Sequence, residues 1–109
     1  MTKEEILAQS VYQQAIEEFK SKSMDFDMAA KAYSENSDPQ KEDKLAQASR
    51  SAWASYCYQM SHLLYLADHI KDKDAMAAAE AAKDLRHIVF SDLQGKYEYI
   101  MFITKPQNT

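Results

Sequence analysis

The chain is poor in the residues that make turns and cross-links: among its 109 residues are one glycine, two prolines and one cysteine. With Gly95 alone to supply freely positive backbone torsions, a β-fold built on tight hairpins is excluded, and so is a glycine-rich loop that cradles phosphate. Valine occurs only at positions 11 and 89, a further argument against strands. The lone Cys57 has no partner for an internal disulfide, so nothing points to an oxidising compartment, and a reducing, cytoplasmic setting is expected. Basic residues are not concentrated: the net charge is −4 and the pI about 5.3, with Lys20, Lys22 and Lys31 the nearest approach to a basic cluster. A nucleic-acid partner, which needs a basic face, is not expected. The first ten residues, MTKEEILAQS, carry acids where a secretory signal would be basic, and no later window is apolar enough to span a bilayer, so a soluble protein without a membrane partner is predicted.

What is abundant forms helices. Ala, Glu, Lys, Gln, Leu and Met dominate, and 46% of the chain is hydrophobic, enough for one core in a single domain covering residues 1–109. Thr2 and Glu5 have the spacing of a capping box, so a helix is expected from about residue 3. Tyr12, Ile16, Phe19, Ser23, Phe26, Ala30 and Tyr33 follow in steps of four and three, as a packed seam does. Only Ser23 interrupts it. Because the phase survives, the pattern predicts one long helix to about Asn36, with Ser23 as the place for a bend.

Asp38 and Pro39 have the chemistry of an N-cap and a first helical residue, placing the start of a second helix near 39. At 100° per residue, Leu45, Ala52, Trp53, Tyr56, Met60, Leu63, Leu64, Ala67 and Ile70 share its core side. The opposite side carries Ser51, Ser55, Tyr58, His62, Tyr65 and His69, small residues and polar aromatics where a solvated face would carry Lys and Glu. Tyr and His combine an apolar body with a polar tip and are favoured at interfaces. Three uses fit this strip. It packs under a fourth helical segment from the C-terminus, it meets a partner protein or a second copy, or it lines a small-ligand site.

After the polar turn HIKDKD, with Asp72 or Asp74 as cap, a third helix should bury Ala78, Ala81, Ala82, Leu85, Ile88 and Val89. Phe90 and His87 fall off that stripe, and Phe90 could extend an interface. Gly95 stands where a helix C-cap belongs. The tail KYEYIMFITKPQNT fits strand alternation as well as a helical stripe, but a lone strand would have an unpaired edge, so helix to about Thr104 is expected, ended by Pro106.

No catalytic or cofactor grouping emerges. His62 and His69 are seven residues apart, about 10 Å of helical rise, too far to share a metal ion. Asp84 and His87 can meet on one helical turn, where a surface ion pair is the ordinary meaning. Cys57, at the border of a core face, reads as a small apolar side chain. The acidic pairs Glu4/Glu5, Glu17/Glu18 and Glu42/Asp43 lack the spacing with which helical pyrophosphohydrolases hold magnesium.

The fold predicted is therefore all-α: an antiparallel bundle of three long helices, up-down-up, whose C-terminal segment extends the third helix or forms a short fourth. The function expected is a small non-enzymatic interaction module without cofactor or metal, either an adaptor or an inhibitor or immunity-type protein that binds and blocks another protein. A homodimer is one form it could take, and such chains are frequent among bacterial and phage accessory proteins. The candidate surface is Tyr58, His62, Tyr65, His69, Phe90, Tyr99 and Phe102. The rival expectation is a helical enzyme or metal protein using His62, His69, His87 and acids gathered by the fold.

Overall fold

A computed structural model of the chain describes residues 1–99. It contains a short helix α1 (Lys3–Leu7) and three long ones, α2 (Ser10–Ser34), α3 (Glu42–Asp68) and α4 (Ala75–Gly95), with helical backbone again at residues 97–99 and no strand among the described residues. α2 and α3 form an antiparallel hairpin. α4 returns antiparallel to α3, and α1 packs on the first turns of α4. The assembly is a rod 57 × 23 × 16 Å. No helix among the described residues is long and apolar enough to cross a membrane.

The seam of α2 sits where its periodicity placed it, with Ile16, Phe19, Ser23, Phe26 and Ala30 all buried. The helix continues unbroken through Ser23 and is interrupted instead at Ala8 and Gln9, where Gln9 adopts an extended backbone (ψ 144°). Helical phase explains the shift. On an unbroken helix in register with Phe19, Ile6 and Leu7 would point away from the core, by about 140° and 120°. Breaking the helix lets Ile6 bury against Ala77 and Ala81 of α4, with Leu7 beside it. The Gln13 amide donates to the Leu7 carbonyl (2.7 Å), satisfying an acceptor that the end of α1 leaves open. The Thr2–Glu5 capping box forms as predicted.

The second helix begins later than its cap chemistry suggested. The Asp38 carboxylate accepts from the Gln40 N–H (2.9 Å) and its carbonyl from the Lys41 N–H (3.1 Å), so residues 38–41 form a turn and α3 starts at Glu42. Proline at 39 suits either role, since a turn and a helix start demand similar φ. Asp74 does cap α4, accepting from the Met76 and Ala77 N–H groups. Gly95 remains within α4 without a positive φ, and the C-cap falls on Lys96.

The centre of the molecule is aromatic. Phe26 lies 5.2 Å from Trp53 and 6.2 Å from Tyr56, which in turn lies 5.2 Å from Phe19. Nearer the α2–α3 turn the side chains shrink: Ala30, Ala46 and Ser49 are buried and the Ser49 hydroxyl donates to the Ala29 carbonyl (3.0 Å), so the two backbones approach closely. Ala46 and Ser49 lie beside the expected core face of this helix, which is wider than predicted. In α4, Ala81, Ala82, Leu85 and Val89 are buried as expected and Ala77 joins them, while Ala78 and Ile88 are half-buried.

Candidate functional site

Four of the candidate residues are brought together. Tyr58, His62, Tyr65 and His69 rise along one side of α3, and all are exposed, Tyr58 by 72% and Tyr65 by 59%. The packing of α3 explains why. α4 lies along its Asp68 flank, tied by the Arg86–Asp68 pair (2.6 Å), and α2 covers the core face. Among the described residues, nothing covers the side between these contacts. The expectation that a C-terminal helix buries this strip is not met among the described residues, which leave α3 open on this side; the rest of that C-terminal segment lies outside them. From Ser51 to Ala67 the chain carries no Asp, Glu, Lys or Arg, so this exposed face is uncharged over about five turns.

The strip is ordered by local contacts. The His69 ring stacks on Tyr65 (centroids 4.2 Å apart), and its Nδ1 hydrogen-bonds the Tyr65 carbonyl (2.8 Å). Beside Tyr58 and His62 runs a surface trough towards α2, lined by Val11, Gln14, Ala15 and Glu18. A rim of rigid tyrosines that lose little rotamer entropy, with hydroxyl tips and no charge to desolvate, is suited to meeting another protein.

The other candidates fall elsewhere. Phe90 is 54% exposed on the outer side of α4, apart from the strip. Tyr99 packs edge-on against Phe26 (6.5 Å) at the margin of the core. Phe102 lies outside the described residues. Asp84 pairs with Lys3 (3.3 Å), fastening α1 to α4, where the sequence had suggested His87 as its neighbour. Burial pushes the half-buried Cys57 thiol above its ordinary pKa, the wrong direction for a nucleophile. Among the described residues no three His, Cys, Asp or Glu side chains converge as metal ligands would.

One grouping escaped the reading of the sequence. Asp92 of α4 accepts from the Ser23 hydroxyl of α2 (2.9 Å) and from the Tyr56 phenol of α3 (2.7 Å). Lys96, one turn on, has a side chain only 3% exposed; its ammonium pairs with Asp27 (2.9 Å) and Asp92 (3.4 Å) and lies 5.2 Å over the Tyr56 ring. Burial, and then the hydrogen bond to anionic Asp92, drive the Tyr56 phenol far above the ordinary tyrosine range. No buried side-chain donor or acceptor among the described residues is without a partner. Every group here is engaged with another, so the cluster clamps three helices and presents nothing to a substrate. The sequence held two hints: Ser23 as a polar break in an apolar seam, and a core-facing tyrosine whose hydroxyl needed an acceptor.

No family model, curated protein or solved structure matches this chain.

Proposed function

We propose that this chain is a small, non-enzymatic protein-interaction module. It acts by occupying a surface of another protein, as an adaptor or as an inhibitor of the immunity type, and its docking face is the outer side of α3. The observation that carries this reading is the uncharged, exposed run of Tyr58, His62, Tyr65 and His69 on a helix whose other flanks are held by α2 and α4. Such a face is costly to leave in water and cheap to bury against a partner. Tyrosine at the centre of an interface is a frequent energetic anchor, each worth about 2 kcal/mol or more when fully enclosed.

The test is affinity capture with purified wild-type protein and with the double variant Tyr58→Glu/Tyr65→Glu, both confirmed as helical by circular dichroism. A partner retained by the wild type should be lost from the variant, because two carboxylates would have to be desolvated at the contact. Equal retention by both proteins would refute α3 as the docking face.

A further inference from the structure

Resting on that docking face, we infer that in the free protein, before any target is bound, the face is covered by a second copy of this chain, with two α3 helices packed antiparallel about a two-fold axis near Tyr58. The face is graded in size along its length. Its N-terminal half presents Ser51, Ala54 and Ser55, and its C-terminal half Ser61, His62 and Tyr65. Ser51, Tyr58 and Tyr65 are spaced by seven and lie on nearly one line of the helix. Reversing a second copy about Tyr58 sets Tyr65 over Ser51, and His62 over Ala54, in both halves at once. Large side chains then meet small ones, as close packing of facing helices requires. A parallel pair would set Tyr65 on Tyr65 and leave Ser51 facing Ser51 across a gap.

Charge supports the same arrangement. Arg50 and Asp68 bound the uncharged run and are separated by five whole turns, so they lie on the same edge of α3. Arg50 is exposed and forms no ion pair among the described residues; Asp68 holds Arg86 through Oδ1 alone. In the reversed copy Arg50 stands within a turn of Asp68, and the symmetry makes that pair twice, which favours this register. In a parallel pair Arg50 and Asp68 stay five turns apart along the axis, so neither copy of the ion pair can form.

Sedimentation equilibrium of the full chain should give twice the 12.5 kDa chain mass, falling to the single-chain mass in Ser51→Arg. Ser51 is exposed, so this substitution blocks the seat of Tyr65 without touching the fold. Mixed oxidation then checks the register. In a Cys57→Ser background, Ser51→Cys protein mixed with Tyr65→Cys protein should form a disulfide-linked pair. Each protein alone should not, because its own cysteines would be about 21 Å apart along the axis. A wild-type chain that stays monomeric at high concentration overturns the second copy as partner. The docking face itself would fall only if the Tyr58→Glu/Tyr65→Glu variant also kept every captured protein. A dimer unaffected by Ser51→Arg, or self-linking of Ser51→Cys alone, overturns the antiparallel register.

Discussion

Replacing Asp92 by alanine should destabilise this protein more than its half-exposed position would suggest. Asp92 is the acceptor that lets two buried hydroxyls and a buried ammonium coexist between α2, α3 and α4. The Tyr56 phenol, in a side chain with no exposed surface, would be left without its acceptor, at about 1–3 kcal/mol. Ser23 should lose less, since a helical serine can turn its hydroxyl to the carbonyl four residues back. Lys96 would retain Asp27 but lose one of two carboxylates, at about 1 kcal/mol for an ammonium that has little water to fall back on. The total is roughly 3 kcal/mol, which at a urea dependence of about 1.5 kcal/mol per molar moves the midpoint down by about 2 M. Urea unfolding followed by circular dichroism measures this. The double variant with Tyr56→Phe supplies the sharper check: with the phenol gone, Asp92→Ala should cost at least about 1 kcal/mol less than it does in the wild type. A cost below about 1 kcal/mol, or strict additivity of the two substitutions, would refute the view that the carboxylate is held for its buried donors.

The raised pKa of Tyr56 sets an alkaline limit. Because the folded phenol resists ionisation beyond the unfolded value near 10, stability is fully present below that value and declines as the pH rises past it; Tyr56→Phe should remove this part of the decline, as read from thermal midpoints between pH 9 and 11. At the start of α4, Asp74→Ala removes the acceptor of two backbone N–H groups and should cost about 1 kcal/mol, with early loss of amide protection at Met76 and Ala77 in hydrogen exchange. A variant as stable as the wild type would show that water caps this terminus equally well.

Much of this architecture is determined locally. Turn-poor composition and the three-and-four spacing of apolar residues select long helices and their buried faces, because helical hydrogen bonds and side-chain phase depend on residues within a few positions of each other. That reasoning reached Phe19, Phe26, Tyr56, Leu63 and Leu85, and it placed Tyr58, His62, Tyr65 and His69 on one shared line. It failed where a local rule competed with a distant contact. The break at Gln9 rather than Ser23 exists because Ile6 gains a site on α4, and Ser23 tolerates burial because Asp92, sixty-nine positions away, accepts its hydrogen bond. The onset of α3 shifted because Asp38 and Pro39 serve a turn as readily as a helix start.

The candidate surface divides the same way. Its composition is written in the chain, and so is its lack of charge from Ser51 to Ala67. Its openness is not, because exposure depends on which flank of α3 receives α4, and that was settled by packing of Ala81, Ala82, Leu85 and Val89 against the aromatic core and by the clamp at Asp92 and Lys96. Sequence by itself determined that α3 has a second, aromatic face; only the tertiary structure decided that this face looks outward, since periodicity fixes directions around a helix axis but not what stands beside it.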